Sequence, residues 1–525
     1  MHLCGFSVFL RVPKRNLSSY TGFIKQQSPG EALIIQVNSI RNKSILAVAT
    51  LFGVVVGGFW LPQIEWAWMV IPTAGGGLFL LALALRPRDL STFSPEINRP
   101  GELPVQSDSA TEAGCMLRFG FYLWLGSLAV GWRQLWITGN LRIHPAEVII
   151  WGLFILLLLR RKPLTGAVPA GIKAFMFLAV LGFFTAHSRG IAWDVSLAEF
   201  KAFLIIIPII YVTHQIISAP AHWQRSIRIL AGVTFLISLF GVVEYFVPAL
   251  IAPFQGILFT EQHIVYSQQG FARAAFTFWG SPIVNVFLSM ILVPILSSAR
   301  VEKNPAWRLF LLGTVVFCAL GIYLAGGRSS WLGASAALAL YVFLSAQKGW
   351  IKLLFLLLVA YNTLPYILPN EVVGSLYAAF DSQEFYDTSA LERQARAEAG
   401  LELIQRNPWL GRGWGASGWV HSDLIQLGAN LGLPALAIFL VWYLGRMRRV
   451  FIFTQRANHT WPAGREYGRG LLAGLLAGFI SLAVQAAYVI PPLIIPLWFL
   501  VVMADRLPAL QGNDNERMEQ PLTEI

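Results

Sequence analysis

The chain has few charged residues and no long polar stretch that could form a soluble domain. Charged residues make up 13% of its 525 residues, whereas hydrophobic residues make up 56% and include 19 Trp. This composition is typical of a protein that crosses a membrane many times, with Trp at the interfaces. The net charge of +12 comes from basic residues in short loops between apolar runs. That pattern sets membrane topology, so we expect a lipid bilayer and no nucleic acid as partner.

Cysteines and nucleotide-binding motifs are also scarce. Cys4, Cys115 and Cys318 have no metal-binding spacing, and we expect no disulfide. The sequence has no G-x-x-x-x-G-K-S/T phosphate loop, no D-x-D motif and no His/Cys cluster. These absences disfavour ATP hydrolysis and a metal-dependent nucleotide-sugar reaction, so we predict no metal and no cofactor.

About fourteen apolar runs approach the roughly twenty residues that a membrane-spanning helix needs. We therefore predict an all-α fold, a polytopic integral membrane helical bundle of about 12–14 transmembrane helices with a helical external loop. The runs lie at 44–60, 66–85, 119–138, 146–159, 172–186, 202–217, 229–247, 282–298, 309–325, 331–345, 351–368, 424–444, 471–487 and 490–504.

The runs divide the chain into tails, membrane helices and one long loop. The apolar piece Leu3–Leu10 is too short for a cleaved signal sequence, so the N-terminal tail is predicted to be cytoplasmic. The predicted regions are the tail 1–43, eleven helices over 44–368 with a cytoplasmic linker at 86–118, an external loop at 369–423, three helices over 424–504 and a cytoplasmic tail at 505–525.

Basic residues alternate between loops and indicate the orientation. If the first helix leaves the cytoplasm, every cytoplasmic loop carries Lys or Arg, as the positive-inside rule requires. These residues are Arg86, Arg88, Arg160, Arg161, Lys162, Arg225, Arg228, Arg300, Lys303, Arg308, Lys348, Lys352, Arg446, Arg448 and Arg449. Arg189, Arg273, Arg328 and His421 then face outward with the long loop.

The stretch Ser389–Leu440 combines basic, aromatic and titratable residues at a membrane boundary. Ser389 and Glu392 form a capping-box pattern, and Pro408 predicts that the helix ends near Arg406. A glycine-rich turn at 411–415 follows, which can bring backbone close to a ligand. His421 then precedes an apolar run.

Three motifs resemble the O-antigen ligase and O-antigen polymerase superfamily of bacterial envelope glycan enzymes. The first combines Arg393 with NPWLGRG, HSDLIQL and LGLPAL, the second is LAGGRSSWLG at Leu324–Gly333, and the third, weaker one is RAAFTFWGSP from Arg273. The resemblance covers about residues 273–440. It departs from the family at Ser422, where many members have Asn, and in lacking a Trp after the helix arginine.

The resemblance implies a glycosyltransferase that moves a glycan from undecaprenyl diphosphate to a hydroxyl acceptor. The acceptor would be lipid A core, another lipid-linked glycan or a protein side chain, and the sequence does not separate these. The implied location is the bacterial inner membrane, with the active site facing the periplasm.

A lipid diphosphate carries several negative charges, which cations and helix N-termini bind. Three helices are predicted to begin on the outer side, at Ser281, at Ser329 and at Ser422 with Asp423. Arg328 and Arg273 lie beside the first two starts. Arg393, which matches the helix arginine of the family pattern, and Arg396 are further candidate diphosphate-binding residues. His421 is the candidate general base, because its pKa lies near working pH. Asp423 could orient it.

Each of these residues also has a structural interpretation. Arg328 could extend to lipid headgroups, and His421 with Asp423 could simply decorate a helix start. Arg393 and Arg396 could form a solvated helix face, Trp414 and Trp419 fit interface anchors better than sugar platforms, and the glycines before Arg328 could serve packing.

The alternative to a glycosyltransferase is that the protein transports bicarbonate, another small anion or a polysaccharide precursor. A transporter would need charged or broken helices at mid-membrane. The sequence places the charges at the ends of the apolar runs instead.

Overall fold

The computed structural model describes residues 112–130, 135–138, 141–159, 168–247, 281–345, 388–418, 420–457, 461–485 and 490–519. Apart from one short hairpin and the connecting turns, these ranges are helical. The helices are α1 Glu112–Ser127, α2 Pro145–Leu159, α3 Ala170–Ser188, α4 Trp193–Leu204, α5 Ile206–Ile216, α6 Pro220–Phe246, α7 Ser281–Val301, α8 Pro305–Ala325, α9 Arg328–Ser345, α10 Thr388–Arg406, α11 Asp423–Leu431, α12 Leu433–Arg456, α13 Pro462–Val484 and α14 Pro491–Glu519.

Within the described ranges, seven helical segments are long and apolar enough to cross a membrane. They comprise α3, the α4–α5 pair, α6, α7, α8, α13 and α14, while α2 and α9 are apolar but shorter. The predicted polytopic helical membrane bundle is thereby confirmed. The predicted spans at 44–60, 66–85 and 351–368 lie outside the described residues.

The structure differs from the predicted spans at three places. The run 119–138 is not one helix, because α1 ends at Ser127 and strands β1 (Leu135–Thr138) and β2 (Leu141–Ile143) form an antiparallel hairpin. In the run 202–217 the helix lacks one backbone hydrogen bond, since Pro208 cannot donate to the carbonyl one turn earlier, while Ile205 keeps a helical φ of −62°. The run 424–444 is interrupted at Gly432, which adopts a φ of 85°.

Helix α13 packs against α7, α9, α12 and α14 through its small residues. A Cβ at Gly474 would lie 2.7 Å from the Met290 carbonyl of α7. At Gly478 it would lie 2.6 Å from Leu497 of α14. The successive contacts Gly470–Ser297 and Gly474–Met290 show that α7 runs antiparallel to α13. Helix α14 also runs antiparallel to α13, because Leu497 contacts Gly478 and Leu500 contacts Gly474.

The two ends of α13 define two ends of the bundle. At its N-terminal end, which we call the charged end, Arg228 pairs with Glu302, Arg469 with Glu466, and both Arg446 and Arg449 with Asp505. Basic residues from three of the predicted cytoplasmic loops therefore lie at this same end of the bundle. They are Arg228, Arg300 with Lys303, and Arg446. We call the C-terminal end of α13, at Gln485, the site end.

Candidate functional site at the C-terminal end of α13

Three helices begin at the site end. The Asp423 amide of α11 donates to the Gln485 carbonyl at 3.3 Å. Helix α9 runs antiparallel to α13, with Gly333 beside Ala477 and Tyr341 bonded to Glu466, so its start at Arg328 lies at the same level. Helix α7 also runs antiparallel to α13, so its start at Ser281 lies at the site end as well. The three predicted helix starts thus lie at the same end of the bundle, with α9 beginning at Arg328, one residue before Ser329.

The turn before Arg328 is built around Asn285 of α7. Gly326 ends α8 with a φ of 65°. With the side-chain amide of the buried Asn285 oriented to suit both neighbours, its oxygen accepts from the Gly327 amide at 2.7 Å and its nitrogen donates to the Ile322 carbonyl at 3.1 Å. A Cβ at Gly327 would lie 2.6 Å from this amide. The glycine pair therefore has the structural role of letting α7 contact the turn, and the turn sets where α9 and Arg328 begin.

Helix α11 begins immediately after His421. Ser422 is its N-cap, and the Ser422 Oγ accepts from the Ile425 amide at 3.4 Å. His421 is half-buried, whereas Asp423 is buried and lines a small apolar pocket with Phe203, Leu427 and Trp498. The pocket has room for roughly one water molecule, so a glycan does not fit inside it. Whether Asp423 orients His421 stays a prediction.

Helix α10 lies alongside α11. Gly400 packs against Ile425, and Gly428 packs against Ile404, so the two helices run in parallel register. Continuing that register by one turn places Arg396 at the level of His421. Arg396 is half-buried and Arg393 is exposed. Arg273 lies outside the described residues.

The glycine-rich turn contacts the protein itself. The amides of Arg412 and Gly413 donate to the carbonyls of Ala429 and Asn430 at 2.9 and 2.8 Å, and so cap the C-terminal end of α11. A Cβ at Gly411 would lie 2.3 Å from Asn430, and one at Gly413 would lie 2.3 Å from Ala186. The prediction that this turn brings backbone close to a ligand is corrected at these positions, because the close approach is to α11 and α3.

Trp414 is fully buried, which corrects its interpretation as an interface anchor. Its indole Nε1 donates to the Ala179 carbonyl of α3 at 2.7 Å, and its ring packs 5.2 Å from the Phe203 ring of α4. Arg189 at the end of α3 donates to the Gly411 carbonyl at 3.0 Å. Trp414 and Arg189 therefore tie the turn to α3 and α4. Trp419 lies outside the described residues.

A buried carboxylate at this end was missed by the sequence analysis. Glu199 of α4 accepts hydrogen bonds from the Gly415 amide at 3.0 Å, from Gln426 Nε2 at 3.1 Å and from Asn430 Nδ2 at 2.6 Å. Asn430 Oδ1 in turn accepts from the Ser417 amide at 3.2 Å. The sequence signal that could have identified Glu199 is a Glu close to an apolar run, because an ionisable residue inside a membrane usually has a functional or structural role.

Glu199 also corrects the expectation that charges occupy only helix ends. Glu199 and Lys201 both lie within the membrane-span candidate Trp193–Ile216. Lys201 pairs with Glu147 of α2 at 2.7 Å, and Glu147 also accepts from the His144 amide at 2.7 Å. Burying these charges is possible because each one has hydrogen-bonding partners.

The architecture and this site define a class of protein, a polytopic helical membrane protein whose helix starts and titratable groups gather at one end. Residues 313–440 match the family model described as O-antigen ligase. The matched range includes Arg328, Arg393, Arg396 and His421, and it covers most of the region in which the motifs resemble that family. No curated protein matches the chain. The match supports a membrane glycosyltransferase of the ligase or polymerase type.

Proposed function

We propose that this protein transfers a glycan from undecaprenyl diphosphate to a hydroxyl group on lipid A core, on another lipid-linked glycan or on a protein. The observation that carries the proposal is the gathering of three helix starts at the site end, within a region matched by the O-antigen ligase family. Helix N-termini present free amide donors and a positive dipole end, which suit a diphosphate.

The residues at these starts have distinct roles in the proposed reaction. Arg328 and Arg273 hold the diphosphate with Ser281 and Ser329, and Arg393 and Arg396 complete the site from α10. The acceptor oxygen attacks the anomeric carbon, and the bond from that carbon to the diphosphate oxygen breaks. The leaving lipid diphosphate keeps the electron pair, and arginines and helix starts stabilise its charge. His421 takes the proton of the acceptor hydroxyl.

The proposed location is the bacterial inner membrane, with the site end facing the periplasm. In a background with Cys4 and Cys115 replaced by Ser, a membrane-impermeant thiol reagent should label Gln405→Cys in intact cells. Lys303→Cys, at the charged end, should be labelled only after permeabilisation. Both positions are exposed. The reverse labelling pattern would contradict the proposed orientation.

The direct test is transfer by purified protein in detergent, with lipid-linked donor, hydroxyl acceptor and a chelator. We expect glycosylated acceptor and released lipid diphosphate, without a divalent metal. Loss of transfer in the chelator would contradict the metal-independent mechanism. An absence of transfer with each of the three acceptor classes would contradict the proposed function.

Transport is the second candidate function, and one observation favours it. The apolar segment α11–α12 is interrupted at Gly432, and the buried Glu199 joins α4 to α11, an arrangement that transporters use for ion or substrate sites. Uptake of bicarbonate or another small anion into liposomes, together with no glycan transfer, would support this function over the enzyme.

A further inference from the structure

We infer that Glu199 is a positioning residue for the transfer reaction, one that holds α11 and the glycine-rich turn so that His421 stays at the site end. The inference rests on the proposed function, because it concerns the residue that we propose as general base. In this proposal Glu199 acts through Gln426, Asn430 and Gly415 and does not itself contact the substrate.

The Glu199 carboxylate joins three separate parts of the chain. Its own helix is α4, Gln426 and Asn430 belong to α11, and Gly415 belongs to the glycine-rich turn. Gln426 and Asn430 are four residues apart, so they lie on one face of α11. Hydrogen bonds to a carboxylate are stronger than those between neutral groups. Two of these donors on one helix face restrict how α11 can rotate about its axis.

Helix α11 needs such a restraint, because it is short and interrupted. It has nine residues and ends at Gly432, where the φ of 85° separates it from α12. An isolated helix of this length is not stable, so its direction depends on its contacts. Gln485 holds its first amide, and the turn caps its last carbonyls. These two contacts hold the ends, and the Glu199 carboxylate fixes the rotation on which the direction of His421 depends.

Two substitutions of Glu199 can distinguish the loss of its hydrogen bonds from the loss of its charge. Gln426 Oε1 is buried and has no hydrogen-bond partner. In Glu199→Gln, the new amide oxygen can accept from Gly415 and Asn430. Gln426 can turn its amide so that this free oxygen accepts from the new amide nitrogen. Glu199→Gln should therefore keep α11 in place, whereas Glu199→Ala leaves its donors unsatisfied.

Glu147 offers a matched control. It is a buried carboxylate of α2, and its partners are Lys201, which like Glu199 is on α4, and the amide of His144 just before α2, away from α11. Glu147→Ala should lower the stability of the bundle without changing the turnover of the folded protein. Any effect specific to α11 should then be absent from this variant.

The experiment measures kcat and KM for the donor in the purified, folded variants. A misplaced catalytic group costs roughly 10- to 100-fold in rate. We expect a fall of that size in kcat for Glu199→Ala, with an unchanged KM, near-complete retention in Glu199→Gln and an unchanged kcat in Glu147→Ala. If Glu199→Ala does not fold, Asn430→Ala should show the same fall. A wild-type kcat in Glu199→Ala, an equal loss in Glu147→Ala or a change confined to KM would overturn the inference.

Hydrogen–deuterium exchange separates this inference from the proposed function. The amides of residues 411–418 should exchange faster in Glu199→Ala than in the wild type or in Glu147→Ala, whatever reaction the protein catalyses. Unchanged exchange there would overturn the positioning role. An absence of transfer by the wild type would contradict the proposed function alone.

Discussion

The charged end and the site end of the bundle handle charge in different ways. At the charged end, carboxylates pair with arginines, as in Arg228 with Glu302 and Arg446 with Asp505. At the site end, three helices begin, and the buried Glu199 binds amide donors from α11 and the glycine-rich turn. Ion pairs neutralise one another within the fold, whereas helix starts offer donors to an added anion. The comparison indicates a structural role for one end and a binding role for the other.

The largest expected effect comes from His421→Ala, which tests the binding end directly. Loss of a positioned general base costs about 100- to 10,000-fold in rate. The donor should still bind, because the helix starts and arginines remain, and lipid-linked glycan should accumulate in cells. The measurement is kcat for transfer together with donor affinity.

The control is His222→Ala, since His222 is half-buried near the start of α6 at the charged end. It should keep the wild-type rate. A wild-type rate in His421→Ala would remove the base assignment and make Asp423 the next candidate.

Glu302→Ala tests the structural role of the charged end. The Glu302 side chain is 2% exposed and bonds to Arg228 at 2.8 Å and to Gln224 at 3.0 Å. Removing one partner of a buried ion pair costs about 3–5 kcal/mol. We expect a lower unfolding temperature in detergent and unchanged transfer per folded molecule. Glu402→Ala, which removes an exposed pair with Arg406, should change stability by less than about 1 kcal/mol. Equal effects of the two changes would contradict this role.

Gly413→Ala tests whether the turn at the site end is packed as tightly as the structure shows. Gly413 has a φ of 96°, and an added Cβ would lie 2.3 Å from Ala186. Backbone strain and overpacking together should cost roughly 2–5 kcal/mol.

Gly418→Ala is the matched control, because its φ is 60° and nothing lies within 4 Å of an added Cβ. Only the backbone cost of about 1–2 kcal/mol should remain. Thermal unfolding of both variants provides the comparison, and equal losses would mean that the turn does not pack closely on α3.

Arg328→Lys tests whether the site end needs the guanidinium group of Arg328 or only its positive charge. Lys is a point charge and cannot form the two parallel hydrogen bonds that a guanidinium offers to phosphate oxygens. We expect at least about a tenfold loss in kcat/KM, corresponding to about 1.4 kcal/mol of transition-state stabilisation. Expression and folding should survive. Arg449→Lys at the charged end should leave transfer unchanged. Wild-type transfer by Arg328→Lys would make Arg328 a residue that only anchors α9 at the membrane surface.

Local signals made part of this structure predictable. Ser281 followed by Pro282 marks the start of α7, Ser422 marks the start of α11, and Pro408 follows the end of α10 at Arg406. Such signals act within one helical turn, so they can be recognised without knowledge of the fold. The apolar runs and the basic loops likewise reflect the properties of the bilayer rather than contacts between distant residues.

The sequence by itself determined that this protein is a helical membrane bundle, where several helices begin and which region resembles the O-antigen ligases. Only the tertiary structure decided that Glu199 binds Gly415 and Asn430, which lie 216 and 231 residues further along the chain. It also decided that the glycines of the turn contact α3 and α11 rather than a ligand. The physical reason is that a buried polar group or a close backbone approach depends on which distant residues the packing brings beside it, and no local pattern contains that information.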